Sequence, residues 1–590
     1  LKWWDVFAAA NAAAFDRRGW PYFRREGYDE FYPGYGVSWP ILTGAVGMTY
    51  EQASSGPGAV RRADGTILTL HDAAEHHYTA AWATLLTAAA RRGERVADYA
   101  ASRRSAGDDA ARSGMRAVVI GRDAQGRADS LARLLAANGI AVGTLVPGAS
   151  VAGATAYGGA RGTAQLPRGG YVVDLAQPQG RLAKALLEPD AQLDSSFIRA
   201  ELESRRTGQP ERFYDVTAWS LPYTFRVPAW FTANPVSGAR PLATTAPPPP
   251  PPPAAAQHGY AFAPGSEASL RLLAALLDDS VRVWYTRRGF RLGDADFRQG
   301  AFVVRVAAND GTVHERVRRL ARAAGAQVLA VPSAAVEEGA DLGSNSVIPI
   351  RRPRVALLGG APVQGNSFGF AWYALDQRLR YPSTAIGASA IANGILRDFD
   401  VLVIPSASAG GLDGALGDGG RQRLAAWVRD GGVLVTLDGA TEWLAAERPG
   451  LSRLRVRRDT TRADGEPGAP LPAQVPGAIV RATTDTLSPL LAGVRDAELP
   501  VLVASDRIYT APRDLRPGEV VVRYAPQPRL RLSGYLWPEV PARLAESPYL
   551  WTERVGRGRV IAFAGDPNFR DLWRGLQPLF GNAVLLGGSF

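Results

Sequence analysis

Residues 31–53 read Phe31-Tyr-Pro-Gly-Tyr-Gly-Val-Ser-Trp-Pro40, Ile-Leu-Thr-Gly-Ala-Val-Gly-Met-Thr-Tyr50 and Glu51-Gln-Ala53. The first ten residues have the composition of a loop, because their glycines relax the backbone and their prolines interrupt helices and central strands. The run 45–50 predicts a short strand that leads directly to Glu51. Since neighbouring side chains of a strand point to opposite faces, Tyr50 and Glu51 are expected to face opposite ways.

Glu51 places a carboxylate at the end of a tyrosine-rich loop. Such a carboxylate could act as a general base near a substrate gate. It could equally be a structural group whose oxygens accept hydrogen bonds from loop amides. The local residues leave both interpretations open.

The order of motifs in this region resembles a known family. The run Tyr32-Pro-Gly-Tyr-Gly-x-Ser-Trp is followed by Gly-x-Thr-Tyr-Glu, which ends at Glu51. Together they resemble the C-terminal third of the catalytic domain of an M14-type zinc carboxypeptidase. The flanks agree, with helices predicted at residues 3–16 and at about 72–90. The resemblance covers about residues 1–92.

The resemblance implies roles for three residues. Glu51 falls on the position of the glutamate that activates the catalytic water as general base. Tyr32 falls most naturally on the position of the flexible tyrosine that closes over the substrate, and Tyr35 is the second choice. The implied activity is hydrolysis of C-terminal residues from a peptide substrate.

The zinc ligands of that family are not found in this chain. The family binds zinc through a His-x-x-Glu pair and a later histidine, all before the tyrosine loop, and no histidine precedes Tyr32 here. The chain does not begin with methionine, so we expect it to be a portion of a longer protein whose upstream part holds the zinc. The alternative is a non-catalytic binding or structural protein with an inert peptidase remnant.

A small group of polar residues opens the helix predicted at 72–90. It contains His71, Glu75, His76 and His77. Histidine and glutamate are zinc ligands, but neither the His-x-x-Glu nor the His-Glu-x-x-His spacing occurs here. We therefore expect a polar helix start and no metal site.

Composition limits the function classes. The net charge of +11 comes almost entirely from arginines spread along the chain, which does not predict a nucleic-acid-binding surface. The longest apolar runs are too short to predict a membrane span. With no cysteine, disulfides, thiolate nucleophiles and cysteine zinc sites are excluded. The composition favours a secreted or periplasmic bacterial protein, although a cytosolic one fits nearly as well. The oligomeric state is not predicted.

The middle of the chain predicts a second domain. Residues 93–115 are expected to form a linker or an exposed helix between domains. From 116 to 340 strand and helix patterns alternate, which predicts one α/β domain with a mostly parallel sheet. A proline-rich insertion at 233–257 contains the prolines 247–253 and predicts a stiff polyproline II spacer.

Residues 351–590 carry a second resemblance. The phrases Trp427-Val-Arg-Asp-Gly-Gly-Val-Leu-Val and Gly556-Arg-Gly-Arg-Val-Ile resemble a class I glutamine amidotransferase-like domain, which implies a flavodoxin-like parallel sheet. That family carries a nucleophilic cysteine on the sharp turn after a strand, where this chain has Asp438-Gly-Ala-Thr441. Asp438 or Thr441 could act in other chemistry, but a threonine needs an adjacent base. The domain is therefore predicted to be non-catalytic.

The predicted fold class is α/β in three parts. The C-terminal part of a carboxypeptidase-like mixed sheet comes first, an α/β domain follows, and a flavodoxin-like parallel-sheet domain ends the chain. A length of 590 residues fits several cores of this size.

Overall fold

A computed structural model of the chain describes residues 2–24, 30–243, 249–297, 300–446, 450–457, 459–461, 467–471, 474–485, 488–494 and 496–590. The protein is mixed α/β with several separate sheets. Its contacts divide it into two compact units. The first comprises Leu1–Ile120, Ala132–Glu188 and Ala229–Leu242, and the second comprises Gly121–Leu131, Pro189–Pro228 and Ala243–Phe590. This division does not test the predicted domain boundaries 1–92, 93–115, 116–340 and 351–590, which remain predictions.

The first unit begins with helices and one small hairpin. These elements are α1 (Lys2–Asp16), α2 (Ser38–Leu42), β1 (Ala59–Arg61), β2 (Ile67–Thr69), α3 (Leu70–Ala90) and α4 (Arg92–Arg112). Helices α1 and α3 confirm the helices predicted at 3–16 and 72–90. A capping box starts α3, since the side chains of Thr69 and Asp72 each accept the other's backbone amide. For residues 93–115 the sequence predicts either a linker or an exposed helix, and the structure has helix α4 there.

The strand predicted at 45–50 is wrong. Residues 46–53 form neither helix nor strand. A strand needs a neighbouring strand to satisfy its backbone groups, and the groups that contact this segment come from helices instead. The Trp4 Nε1 of α1 donates to the Gly47 carbonyl at 2.7 Å, and the hydroxyls of Tyr50 and Thr84 of α3 hydrogen-bond to each other.

Residues 117–241 contain a seven-stranded sheet and four helices. In chain order these elements are β3 (Ala117–Gly121), α5 (Arg127–Ala137), β4 (Gly143–Leu145), β5 (Ala149–Ala156), β6 (Arg161–Leu166), β7 (Gly170–Asp174), α6 (Gly180–Leu187), α7 (Ser195–Arg206), α8 (Leu221–Thr224), β8 (Ala229–Thr232) and β9 (Arg240–Pro241). The strand order is β6-β5-β8-β3-β7-β4-β9. The pairs β3–β8, β4–β7, β4–β9, β5–β6 and β5–β8 are antiparallel.

Residues 259–349 form a five-stranded sheet and a three-stranded one. Their elements are β10 (Gly259–Phe262), α9 (Glu267–Asp278), β11 (Trp284–Thr286), β12 (Phe290–Leu292), β13 (Ala295–Asp296), β14 (Phe302–Arg305), α10 (Val313–Ala324), β15 (Leu329–Val331), β16 (Glu338–Gly339) and β17 (Val347–Pro349). The larger sheet has the order β15-β10-β14-β11-β17 and the smaller one β13-β12-β16.

The mostly parallel sheet predicted for 116–340 is therefore wrong. Helix α9 joins β10 to β11, as the alternating pattern predicts, but β14 lies between these two strands and is antiparallel to both. This is a split β-α-β arrangement. The apolar pattern of a buried strand is the same for either direction of its neighbour, so the pattern did not reveal the inserted strand. Of the proline run, Pro247 and Pro248 lie outside the described residues, and residues 249–253 form neither helix nor strand.

The rest of the chain builds a ten-stranded sheet with short hairpins and flanking helices. Its elements are β18 (Val355–Leu358), α11 (Gly365–Tyr373), β19 (Ser383–Ile386), α12 (Ala388–Ala392), β20 (Val401–Ile404), α13 (Ala409–Arg429), β21 (Val433–Leu437), α14 (Gly439–Ala445), β22 (Arg455–Val456), β23 (Asp459–Thr461), β24 (Pro467–Leu471), β25 (Ala478–Thr484), β26 (Glu498–Val503), β27 (Tyr509–Thr510), β28 (Val520–Tyr524), β29 (Arg531–Ser533), α15 (Val540–Leu544), β30 (Pro548–Val555), β31 (Gly558–Phe563) and α16 (Gln577–Leu586). A π-helical turn, Ala374–Leu379, extends α11.

This large sheet is parallel on one side and antiparallel on the other. Strands β19-β18-β20-β21-β31 are all parallel, and the order continues through β30-β28-β25-β26 in antiparallel pairs. Every residue of β18, β20 and β21 is buried, as is typical of parallel strands covered on both faces. The carboxyl ends of the parallel strands meet at one edge, which is where open parallel sheets place their ligand sites. Among the described residues, no helix is both long and apolar enough to cross a membrane.

Candidate functional sites

A cavity of about 760 Å³ lies in the first unit beside Glu51. Its walls combine aromatic side chains with groups of both charges. The lining residues are Trp4, Asp5, Ala8, Asn11, Ala12, Phe15, Pro21, Tyr22, Phe23, Arg24, Glu30, Gly47, Met48, Thr49, Tyr50, Glu51, Gln52, Ala53, Arg62, His76 and Ala80. The size suits a small organic ligand or a short peptide end.

The irregular segment that carries Glu51 is held by contacts on both sides of that residue. Besides the bonds from Trp4 and Thr84, the Gln52 Nε2 lies 2.9 Å from Nδ1 of His76 on α3. Glu51 itself is exposed and makes no hydrogen bond or ion pair with the described residues. The backbone around it is thus fixed by its neighbours, while the carboxylate stays available to a molecule in the cavity.

The buried side chain of His76 holds this segment in place through Gln52. The residue is 6% exposed, and its ring packs edge-on against Trp20 at 4.3 Å between centroids and beside Phe15 at 5.7 Å. Burial lowers the pKa of His76, with a further contribution from the nearby Arg62. The imidazole is therefore neutral near pH 7, which leaves one ring nitrogen to accept the Gln52 amide.

The structure does not bring the two predicted tyrosines to this cavity. Tyr32 and Tyr35 are half-buried, and their rings contact each other edge-on at 5.3 Å between centroids. Neither ring is part of the cavity wall. The substrate-binding role of Tyr32 and Tyr35 remains a prediction, as does the base role of Glu51.

The residues present do not fit a zinc site. Among the described parts of the chain no group of three histidine, cysteine, aspartate or glutamate side chains could hold a metal ion. The histidines His71 and His76 at the start of α3 contact different residues. His71 lies 3.8 Å from Glu75 on the exposed face, whereas His76 is committed to Gln52.

A second candidate site lies at the carboxyl edge of the parallel strands in the second unit. It consists of Ser367, Ser406, Asp438, Arg507 and Asp566, which we call the elbow cluster. Ser406 follows β20, Asp438 follows β21 and Asp566 follows β31, while Ser367 lies in the first turn of α11. Asp438 has φ 46° and ψ −114°, a conformation that a residue with a side chain rarely adopts.

Hydrogen bonds join the elbow cluster across four elements. The Ser406 hydroxyl donates to Asp438 Oδ2 at 2.8 Å, and Arg507 Nη1 donates to Asp438 Oδ1 at 3.1 Å. The Ser367 hydroxyl donates to Asp566 Oδ2 at 2.7 Å and accepts the Ser406 backbone amide at 2.9 Å. The two serine–aspartate pairs are therefore linked to each other through the backbone amide of Ser406.

The two aspartates of the elbow cluster lie in different surroundings. Burial raises the pKa of Asp566 to about 6. Asp438 is paired with the Arg507 guanidinium, and its side chain remains 24% exposed. No histidine belongs to the cluster, and each serine hydroxyl is hydrogen-bonded to an aspartate instead.

Thr441, the other residue considered from sequence, is structural. Its hydroxyl donates to the Phe563 carbonyl at 2.7 Å, and its side chain is buried. The sequence did identify Asp438 at the turn after β21, but it missed Ser406 and Asp566. Both follow buried parallel strands, and that position was the signal available for finding them. Ser367 and Arg507 come from other elements and carried no comparable signal.

Comparisons with known proteins do not assign the chain to a family. No protein-family model matches the chain, and no curated protein matches it. Among solved structures, a ThuA-like protein from Bacteroides uniformis is 14% identical with a TM-score of 0.27, over 39% of this chain and 89% of that one. A cytoplasmic protein from Salmonella typhimurium LT2 is 12% identical with a TM-score of 0.27, over 40% and 99%. A β-galactosidase from Bacillus circulans is 15% identical with a TM-score of 0.25, over 46% and 35%. Likeness at this level leaves fold and function to be argued from the chain's own residues.

Proposed function

We propose that the chain is a portion of a zinc metallocarboxypeptidase-like protein that hydrolyses C-terminal residues of peptides. The observation that supports this proposal best is the position of Glu51. Its carboxylate is exposed on the wall of a cavity of about 760 Å³ and makes no bond with the described residues. A glutamate in that position is accessible to a water molecule and a substrate carbonyl in the cavity.

In this proposal Glu51 acts first as general base and then as general acid. Its carboxylate accepts a proton from the attacking water and later delivers it to the leaving amine, as in the family that the motif resembles. The bonds at Gly47, Tyr50 and Gln52 keep the backbone in place during this transfer. Positioning of this kind matters because a general base acts only within hydrogen-bond reach of the proton.

Tyr32 or Tyr35 closes over the peptide in the same proposal. Since the two rings pack against each other outside the cavity wall, closure requires the loop that carries them to move. No step is assigned to zinc, because the described residues do not fit a zinc site. The ligands are expected in the upstream part of a longer protein.

For residues 351–590 we infer an amidotransferase-like domain without amidotransferase chemistry. The parallel strand order β19-β18-β20-β21-β31 supports this inference, since it is the 2-1-3-4-5 order of flavodoxin-like sheets. The strained turn at Asp438 stands where that family carries its nucleophile. With no cysteine in the chain and Thr441 bonded to the backbone, the nucleophile is absent.

The proposal is tested with the present chain and with a longer one extended upstream to cover the zinc ligands that the proposal expects there. We expect the 590-residue chain alone to bind no stoichiometric zinc and to release no C-terminal amino acids. The longer chain should bind zinc and hydrolyse peptides. Its Glu51→Gln variant should keep the zinc and lose activity by roughly a hundredfold or more.

Glu75→Gln serves as the matched control, since Glu75 is a partly exposed carboxylate of α3 outside the cavity wall. It should leave activity unchanged. Zinc bound by the present chain, or full activity of Glu51→Gln, would overturn the proposal. A longer chain that lacks both zinc and activity would favour the alternative, a binding protein with an inert peptidase remnant.

A further inference from the structure

Two buried arginines of the second unit lie outside both candidate sites. Arg127 is the first residue of α5, and Arg226 follows α8 with φ 53°. Their side chains are 11% and 6% exposed. A guanidinium is permanently charged, and burying it without hydrogen-bond acceptors is costly. The presence of two such groups in one cluster requires a physical reason.

Most donors of this arginine pair have no acceptor. The Nε, Nη1 and Nη2 of Arg226 and the Nε and Nη1 of Arg127 are buried and make no hydrogen bond with the described residues. Among the described residues, no other arginine has more than one buried guanidinium nitrogen without a hydrogen-bond partner. The guanidinium of Arg453, for example, donates to Glu553 at 2.8 Å, to Asp514 at 3.0 Å and also to Glu519. The arginine pair therefore departs from the chain's own pattern.

Two carboxylates lie near the pair without forming hydrogen bonds to these donors. Asp123 lies 3.7 Å from Arg127, but its two oxygens accept the backbone amides of Gln125 and Ala128 at 2.9 and 2.8 Å. Asp496 lies 3.5 Å from Arg226 Nε, and its side chain is 56% exposed. Both contacts are too long or too poorly aligned to be strong hydrogen bonds.

We propose that Arg127 and Arg226 form a binding site for a tetrahedral oxyanion of the phosphate class. Each guanidinium is a planar fork that binds two oxygens of one anion side by side. A phosphate has four oxygens, so one edge can accept from Arg226 and another from Arg127. A planar carboxylate has two oxygens and a water has two lone pairs, so either would leave several of these donors open.

The electrostatics favour binding of an anion by the pair. Burial lowers the pKa of Arg226 to about 9, and repulsion from Arg127 contributes to this lowering. An anion between the two guanidinium groups relieves both effects. The Asp496 side chain beside Arg226 is 56% exposed, so solvent reaches that side of the pair.

The test uses inorganic phosphate and the whole chain. The protein is dialysed into phosphate-free buffer, and its thermal unfolding is followed as phosphate is added, with chloride at matched ionic strength as reference. Phosphate released on denaturation is measured in parallel. We expect a saturable rise in Tm above the chloride reference, or stoichiometric phosphate that stays bound through dialysis. Acetate should give a weaker effect.

The variants Arg127→Gln and Arg226→Gln should weaken phosphate binding on the order of tenfold or more by calorimetry. Arg226→Lys retains the charge but removes the fork, and it should weaken binding even where the glutamine variant fails to fold. Arg557→Gln, at a side chain that is 77% exposed, is the control and should bind as the unmodified chain does. The absence of both saturable stabilisation and retained phosphate would overturn the proposal, as would full binding by Arg226→Gln and Arg226→Lys.

Discussion

The hydroxyl of Ser406 donates a 2.8 Å hydrogen bond to Asp438 Oδ2, across the ends of two neighbouring parallel strands. The same aspartate is held on its other side by Arg507. These two bonds keep Asp438 in a backbone conformation that is unfavourable for a residue with a side chain. The elbow cluster thus holds local strain, and that strain can be measured.

Replacement of Asp438 by glycine and by alanine separates strain from side-chain bonding. Both variants lose the bonds to Ser406 and Arg507, but glycine alone adopts φ 46° freely. We expect Asp438→Gly to be about 1 kcal/mol more stable than Asp438→Ala, since strain of this kind costs roughly 1–3 kcal/mol and glycine loses part of that gain to chain entropy. Urea unfolding of the two proteins measures the difference. Equal stabilities would show that the turn is not strained.

The glycine after Asp438 should tolerate no side chain. A Cβ on Gly439 would lie 2.5 Å from the Ala407 carbonyl oxygen, which belongs to the backbone and cannot rotate away. We expect Gly439→Ala to lose roughly 1–3 kcal/mol of unfolding free energy. Gly414 of α13 is the control, because a Cβ there meets no atom within 4 Å. Gly414→Ala should gain about 0.5–1 kcal/mol, and a loss at both positions would contradict this account.

Asp566 should make stability depend on pH in the mildly acidic range. Its pKa is raised to about 6 in the folded state, above its value of 3.8 in an unfolded chain. The folded protein therefore holds this proton more tightly, and stability falls as pH rises from about 4 to about 6.

Asp566→Asn removes the ionisation and can still accept the Ser367 hydrogen bond. The variant should gain on the order of 2 kcal/mol relative to the unmodified chain between pH 4 and pH 7, at ~1.4 kcal/mol per pKa unit. Denaturant unfolding at several pH values gives both curves. Asp430→Asn, at a side chain 77% exposed, should show no such gain. Parallel curves for Asp566→Asn and the unmodified chain would refute the prediction.

His76 should act in the opposite pH direction. Burial lowers its folded-state pKa below the usual 6.5, so the unfolded state binds the proton more readily. Stability of the first unit should then fall as pH drops below about 6.5. His76→Phe keeps a ring between Phe15 and Trp20 but cannot titrate, and its unfolding should lose this acid-side fall.

His71→Phe is the control for that experiment, because the His71 side chain is 81% exposed. It should retain the pH dependence of the unmodified chain. Unfolding followed by tryptophan fluorescence between about pH 5 and 8 suits the measurement, since Trp20 contacts His76 directly. The same acid-side fall in both histidine variants would assign the effect to another group.

Local sequence predicted the elements whose own residues contain the necessary signal. Helix α3 follows from its apolar spacing, and its start is reinforced by the Thr69–Asp72 capping box. The buried strands β18, β20 and β21 follow from continuous apolar runs. Two predictions were wrong because a distant segment determines the local structure. At 45–50 the segment contacts helices and has no strand partner, and β14 inserts between β10 and β11.

The candidate sites divide in the same way. Glu51 and Asp438 were identified from the turns and motifs that contain them. The other groups of the two sites were not, since His76 contacts Gln52, 24 positions away, and Ser367 contacts Asp566 across 199 positions. Such pairs have no short-range pattern to reveal them.

The available chemistry can be listed from the residues alone: a carboxylate at Glu51, a tyrosine-rich loop before it, no thiolate, and a turn at Asp438. Which of these groups meet depends on the folded chain. The fold placed Glu51 on a cavity wall, joined Ser406 to Asp438 and left most guanidinium nitrogens of Arg127 and Arg226 buried without acceptors. The physical reason is range. Backbone propensity and capping act over a few residues, whereas burial and hydrogen-bond satisfaction depend on segments that meet only after the chain has folded.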